Sequence, residues 1–205
     1  EPIFPDEDSF LTIDGSDPDS ENPTSLIRKL IEIQTDIVKK GICKVGIILD
    51  LDNKTLEEKI KMVNQALKSS FDGANSIGTI NKTGEFAIIS NSEWEISVAC
   101  YFTNYRGRGE LETLLRKIAC WPSIYADCLS AWKECVEHHG KTISDKDFDK
   151  FWISNYIRFD TCTKKEKQQA EKYCSMINFN HVLQKGIFNF DSPELYDLKK
   201  FLMIF

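Results

Sequence analysis

An unbroken apolar run from Val45 to Leu49 is the clearest pattern in the sequence, and it ends at two carboxylates, Asp50 and Asp52. Such a run predicts a strand of a parallel sheet that is buried on both faces. In open α/β sheets, ligands bind beyond the carboxyl ends of such strands. Because one residue separates the two acids on an extended chain, we expect their side chains to point to the same side. A divalent cation would relieve their mutual repulsion, so the pattern predicts a Mg²⁺ site.

Helical and strand periodicities alternate along the first part of the chain and give way to helical periodicity in the second part. Strands are predicted at residues 9–15, 44–50 and 96–102, with two short strands within 76–90. Helices are predicted at residues 23–40, 55–70, 124–136, 147–157 and 163–176, with further helices that begin near residues 110 and 192. Aromatic residues at helical spacing in 147–157 favour a core position over a ligand platform.

This alternation predicts an α/β fold with a mostly parallel sheet flanked by helices and a helical C-terminal part. We expect residues 9–120 to form the α/β core. Residues 121–205 are then expected to form the helical part packed on that core.

Composition fits a soluble globular protein, because hydrophobic residues make up 41% of the 205 residues and charged residues 28%. The net charge of −6 is uneven, since the first 22 residues hold eight acids and no Lys or Arg. Removing those eight charges from the total leaves +2 for the remainder, so the overall acidity does not exclude a nucleic-acid partner.

Seven cysteines are scattered along the chain without a Cys-x-x-Cys pair, which argues against a zinc site. Several of them have apolar surroundings, which are typical of small buried side chains, and a reducing cytoplasm is the simplest location. No apolar run is long enough to predict a membrane span.

Three stretches resemble the small stand-alone TOPRIM-like proteins of bacteria and phages. They are the strand at residues 45–52 with its Asp-x-Asp pair, the Gly-x-Leu-Glu helix opening at 109–115, and the tail at 185–195. The resemblance implies a TOPRIM-like, Rossmann-like sheet and Mg²⁺- or Mn²⁺-dependent cleavage of nucleic-acid phosphodiesters, in the manner of overcoming-lysogenisation nucleases and with phage defence as one setting. It also implies that Asp50 and Asp52 hold the metal and that Glu112 belongs to the catalytic set.

One departure from that family concerns its first strand, which ends in Glu-Gly and should precede Ser9. The segment Glu1-Pro2-Ile3-Phe4 does not match it. Either that strand lies upstream of Glu1 or the protein lacks it. If the protein lacks it, the usual general base or second metal ligand is absent as well, which places hydrolysis in question.

Arg106 and Arg108 alternate with glycines in a loop, and we expect them to contact nucleic-acid phosphates. A competing interpretation is a phosphatase similar to the haloacid dehalogenases, with Asp50 as nucleophile and Asp52 as acid/base. Thr55 stands one position too late for that motif. A third interpretation is a non-catalytic TOPRIM-shaped subunit that partners an ATPase.

Overall fold

The strands of the described chain form one mixed sheet. The computed structural model describes residues 23–52, 54–107 and 109–205, so the strand predicted at 9–15 lies outside the described residues. The described strands are β1 (Lys44–Asp50), β2 (Ser76–Ile77), β3 (Ala87–Ser90) and β4 (Glu95–Thr103). They lie in the order β1-β4-β3-β2.

Most neighbours in this sheet run antiparallel, so the expectation of a mostly parallel sheet is wrong. β2 pairs with β3 and β3 pairs with β4 in antiparallel register. The loops that join these three strands are short, and short connections favour antiparallel neighbours. β1 and β4 run in the same direction, as two hydrogen bonds show: Ser97 N donates to Cys43 O and, further along both strands, Leu51 N donates to Thr103 O.

β1 is confirmed as a strand, but its two faces are not equally buried. Val45 and Ile47 are buried, whereas the side chain of Ile48 is 44% exposed. β1 lies at one end of the described sheet order, and its burial alternates along most of its length. Apolar side chains on the exposed face concealed this alternation in the sequence.

The helices follow the predicted pattern in most of the described chain. They are α1 (Pro23–Lys40), α2 (Leu56–Ser70), α3 (Leu111–Ile118), α4 (Ile124–Asp127), α5 (Leu129–His138), α6 (Asp145–Asn155), α7 (Ala170–Tyr173), α8 (Phe179–Gln184) and α9 (Tyr196–Leu202). A π-helical turn, Tyr156–Asp160, follows α6, and 3₁₀ turns form at Glu166–Gln169, Met176–Asn178 and Pro193–Leu195.

Local capping explains where α2 begins. Glu58 N donates to the Thr55 hydroxyl at 3.2 Å, and Thr55 N donates to the Glu58 carboxylate at 2.8 Å. This reciprocal capping box satisfies two backbone donors that a helix start otherwise leaves unpaired. Val63 and Leu67 then point to the buried face of the helix.

The single helix predicted over residues 163–176 is wrong, because a disulfide joins Cys162 to Cys174. Their Cα atoms lie 5.7 Å apart. A continuous helix would separate two residues twelve positions apart by about 18 Å. The segment instead folds into short turns, among them Glu166–Gln169 and α7. The cysteine spacing did not predict this pairing.

The chain divides into two compact units. Among the described residues, the first contains 23–49, 54–102 and 198–205, and the second contains 50–52, 103–107 and 109–197. This division does not coincide with a boundary at residue 120. The separation into parts 9–120 and 121–205 stays a prediction.

In the first unit, α1 packs on α2 beside the sheet, with Val63, Leu67 and Ile89 fully buried. The end of the chain joins this unit, where Phe201 stacks on Tyr101 with ring centroids 5.5 Å apart.

In the second unit, Trp152 stacks on Tyr156 at 5.0 Å, and Tyr156 contacts Phe188 at 5.9 Å. The Tyr156 hydroxyl donates to Ile187 O, so its buried polar atom is satisfied. The core position expected for the aromatic residues of 147–157 is confirmed for these side chains and for Phe148.

None of the described helices combines the length and hydrophobicity needed to cross a lipid bilayer.

We predict that replacing Cys162 by serine lowers the free energy of unfolding by about 3 kcal/mol, because the disulfide restricts the unfolded chain over a short loop. Urea denaturation followed by far-UV circular dichroism measures this change. Cys128→Ser, which alters an exposed free cysteine, serves as the control. Equal unfolding midpoints with and without reductant would contradict the prediction.

Candidate metal centre

Three carboxylates of the second unit converge at the end of β1. Asp50, Glu110 and Glu112 each offer one oxygen atom, and these atoms all lie within 4.8 Å of one another. Asp50 is the last residue of β1, Glu110 directly precedes α3, and Glu112 lies in its first turn. Carboxylate oxygens are the ligands that Mg²⁺ and other hard cations prefer. This arrangement can therefore hold a divalent ion.

Two hydrogen bonds hold the Asp50 side chain in place. The Thr103 hydroxyl and the Leu111 backbone N–H both donate to its Oδ1 atom, the latter at 3.0 Å. The first donor ends β4 and the second begins α3. The orientation of Asp50 is thus set by the two segments that border the acid cluster.

Glu110 is the most buried acid of the cluster, with its side chain 4% exposed. Its Oε1 lies 2.5 Å from Lys146 Nζ, and its Oε2 lies 3.2 Å from Lys150 Nζ. Oε1 has no partner with hydrogen-bond geometry among the described residues, so the contact with Lys146 is an ion pair by distance alone.

Burial raises the pKa of Glu110, and the nearby Asp52 carboxylate acts in the same direction. Lys146 and Lys150 act to lower this pKa, but the raising effects prevail. Glu110 therefore holds a proton more tightly than an ordinary glutamate, which matters for cation binding because a metal ion requires the ionised form.

Lys146 bridges two acids. In addition to Glu110, it contacts Asp52 Oδ1 at 3.0 Å. Partial burial acts to lower the pKa of Lys146, but the contacts with the Glu110 and Asp52 carboxylates outweigh it and raise the pKa above its usual value. Lys146 is therefore a stable cation beside the acid cluster.

Asp52 has left the extended conformation, which changes the geometry expected for the Asp-x-Asp pair. Its φ angle is +56°, in the left-handed region that residues other than glycine rarely adopt. Its backbone N–H donates to Gly109 O at 3.2 Å. The backbone at Asp52 is therefore not extended as the sequence argument assumed, and the Asp52 carboxylate contacts Lys146.

Gly109 is required by close packing at this point. Its φ angle is +86°, and a Cβ atom there would lie 2.5 Å from the Thr113 hydroxyl oxygen. A side chain would have to displace the first turn of α3, which carries Glu112. The glycine of the Gly-Glu-Leu-Glu sequence thus lets the acids approach β1.

Asp149 joins α6 to α3 and so positions the two lysines. Its carboxylate accepts hydrogen bonds from the Thr113 hydroxyl and from Arg116 Nη1, both at 2.7 Å. The Asp149 side chain is 9% exposed. Because Lys146, Asp149 and Lys150 share α6, this anchor places both ammonium groups against Glu110.

The structure places the predicted site residues in different surroundings. Asp50 and Glu112 lie together, whereas Asp52 is ion-paired with Lys146. Arg106 is exposed, and its guanidinium lies 5.1 Å from the Tyr105 ring. Arg108 lies outside the described residues. The assignment of these residues to metal and nucleic acid stays a prediction.

Sequence reasoning missed Glu110 and the two lysines. Glu110 stands two positions before Glu112, so the motif itself contained it, but nothing local distinguished the buried acid from its neighbour.

A second cluster, Cys162, Glu166 and Cys174, also has metal-ligating atoms close together. Its sulfur atoms are joined in the disulfide and are not available as thiolates.

We predict that Asp149→Ala lowers the free energy of unfolding by about 3 kcal/mol, because it leaves Arg116 and Thr113 without their shared buried acceptor. Asp145→Ala, which removes a solvent-exposed ion pair with Lys133 at the start of the same helix, should cost less than about 1 kcal/mol. Urea denaturation of both variants checks the difference, and equal losses would contradict the anchoring role.

We predict that divalent-ion affinity rises as the pH increases above 4.5, the ordinary pKa of a glutamate. The pKa of Glu110 in the folded chain is higher than this, and its carboxylate binds a metal ion only after losing the proton. In the metal-free protein, the stability contributed by Glu110 is present below 4.5 and is lost as pH rises through its folded pKa. Calorimetric titration with Mn²⁺ at a series of pH values from 4.5 upward measures the affinity.

Glu110→Gln should weaken Mn²⁺ binding at neutral pH and flatten its pH dependence, whereas Glu137→Gln, on an exposed part of α5, should leave both unchanged. An unaltered pH profile in Glu110→Gln would show that this side chain is not a ligand.

Comparison with known proteins gives a family but no activity. No curated protein and no solved structure matches the chain. One family model, described as a protein of unknown function (DUF3226), matches residues 10–204. Because this match spans nearly the whole sequence, the chain belongs to the DUF3226 family.

Proposed function

We propose that the protein is a divalent-metal-dependent phosphodiester hydrolase that acts on nucleic acid. The observation that carries the proposal is the convergence of Asp50, Glu110 and Glu112 within 4.8 Å at the end of β1, beside two lysines. The motif resemblance to TOPRIM-like nucleases supports the same reaction class. The finer assignment to a TOPRIM fold is part of this proposal.

In this proposal, Asp50, Glu110 and Glu112 hold Mg²⁺ or Mn²⁺. The bound ion would supply a Lewis acid for a phosphate oxygen and a means to activate water. Thr103 and the Leu111 N–H fix Asp50, and burial keeps Glu110 apart from bulk water. Lys146 and Lys150 present positive charge next to the acids, where a phosphate group would lie.

The proposal makes Lys146 a charge compensator in the metal-free state. Its ammonium contacts Glu110 and Asp52, so the clustered acids are balanced before a cation binds. Glu110 would serve as a ligand when a cation is bound, and the ammonium of Lys146, half-exposed beside it, would then be available to a substrate phosphate. Asp52 would then act by holding Lys146, which is a positioning role.

The same ion pairs favour a second candidate, a non-catalytic TOPRIM-shaped subunit that partners an ATPase, including one that acts in phage defence. A lysine that already neutralises the acids provides structural balance without a metal ion. This candidate differs from the first in a measurable way, because the isolated chain would neither bind Mn²⁺ at Asp50 nor cleave phosphodiesters.

We predict that the purified chain cleaves plasmid DNA or RNA with Mg²⁺ or Mn²⁺ and that EDTA stops the reaction. Asp50→Asn and Glu110→Gln should each lower the rate at least about 100-fold, because each removes a metal ligand. Glu57→Gln changes an exposed acid in the first turn of α2 and serves as the control. Gel analysis of nicked and linear products measures the rate.

Three results would overturn the hydrolase proposal. The first is cleavage by Asp50→Asn at the wild-type rate, which indicates a contaminant. The second is phosphate release from small phosphomonoesters in place of diester cleavage, which indicates the phosphatase chemistry. The third is a folded but inactive chain that copurifies with an ATPase, which favours the subunit.

A further inference from the structure

Two aromatic side chains of the second unit lie exposed in a groove. Phe151 on α6 and Phe159 in the following π-helical turn are 45% and 47% exposed, although aromatic residues at this spacing are expected in a core. The groove has a volume of about 490 Å³. Its walls include Phe151, Ser154, Arg158, Phe159, Cys174 and Met176.

Each of these rings is supported by a second exposed aromatic ring. Trp132 lies 5.2 Å from Phe151, and Tyr125 lies 6.1 Å from Phe159, as centroid distances. Aromatic pairs at such distances attract each other. Phe151 and Phe159 are therefore supported platforms rather than isolated surface side chains.

The chain around the groove carries an excess of exposed positive charge. Arg158 lines the groove together with the two phenylalanines. The segment that follows carries further exposed cations, at Lys164, Lys165, Lys167 and Lys172.

The acids of the same region are mostly engaged internally. Asp160 accepts hydrogen bonds from Tyr125 N and Ala126 N, and Glu166 is ion-paired with Lys185. Glu171 is the acid that lines the groove. Residues 156–176, which supply most of the groove, hold five cations and three acids, a net charge of +2 that complements phosphate groups.

The groove begins on the same helix that supports the acid cluster. Lys150 of α6 contacts Glu110. Phe151 is the next residue, and in an α-helix successive side chains are rotated by about 100° around the axis. A polymer with a phosphodiester at the acids can thus continue around α6 toward Phe151. This step rests on the proposed function.

We propose that this groove binds single-stranded nucleic acid, with unpaired bases stacked on Phe151 and Phe159 and phosphates on Arg158 and the neighbouring lysines. Base faces are covered by neighbouring pairs in a duplex and become available in a single strand. The proposal therefore names the substrate class of the hydrolase as single-stranded DNA or RNA.

Fluorescence anisotropy tests the proposal, with a labelled oligothymidylate, its RNA equivalent and a duplex of equal length, all in EDTA so that no cleavage occurs. Wild-type protein should bind the single strands at least about tenfold more tightly than the duplex. Phe151→Ala and Phe159→Ala should each weaken single-strand binding about tenfold. Tyr196→Ala changes an exposed aromatic residue of the same unit outside the groove and should bind as the wild type does.

Phe151→Leu keeps apolar volume but removes the ring, so it separates stacking from folding, and circular dichroism monitors the fold of every variant. Wild-type affinity in Phe151→Leu together with Phe159→Ala overturns the groove. Equal affinity for duplex and single strand, or no binding at all, also overturns it. A changed oligomeric state in light scattering, without loss of nucleic-acid binding, identifies a protein interface and overturns it as well.

Hydrolysis of bis(p-nitrophenyl) phosphate by the wild-type protein tests the metal site separately, since this small diester needs no groove. Single-strand binding that depends on Phe151 and Phe159 without such hydrolysis retains the groove and removes the proposed hydrolase. Hydrolysis that is lost in Asp50→Asn, with single-strand binding unaffected by the groove variants, retains the hydrolase and removes the groove.

Discussion

The burial of the Glu110 carboxylate is the constraint on which the site and the packing of the second unit both depend. A buried carboxylate without a counter-charge is strongly destabilising, and two lysines of α6 supply that charge. They lie four positions apart and so share one helical face. Asp149 on the same helix anchors α6 to α3 through Thr113 and Arg116. The acid cluster and the packing of α6 on α3 therefore form one network. Glu110 at the start of α3 needs the lysines of α6, and Asp149 of α6 needs Arg116 of α3.

Much of the secondary structure could be predicted because its signals are local. The Thr55 capping box marks the start of α2, and a Ser-Pro pair at Ser192 opens the final helical segment, where Ser192 accepts a hydrogen bond from Glu194 N. Strand direction is a tertiary property, so the antiparallel β2–β3–β4 arrangement did not follow from periodicity. The Cys162–Cys174 pair likewise joins positions that a helical pattern would separate, and only the folded chain brings them together.

The candidate site was predictable in part, for reasons that differ between residues. Asp50 ends an apolar strand, and Glu112 opens a helix after a glycine, so position alone singled them out. Glu110 has the same charge as Glu112, and its importance comes from burial, which no local pattern encodes. Asp52 adopts a left-handed backbone that the extended-chain rule does not anticipate. Lys146 is indistinguishable in sequence from a lysine on a solvated helix face.

The ammonium group between Glu110 and Asp52 also bears on how the protein matures. Zinc fingers are unfolded without their ion, so metal uptake and folding are the same event. Here Lys146 already offsets the repulsion between Glu110 and Asp52 in the metal-free chain. The acids at this site are therefore charge-balanced in the folded chain before any ion is present, so an ion that binds here would not be needed for folding.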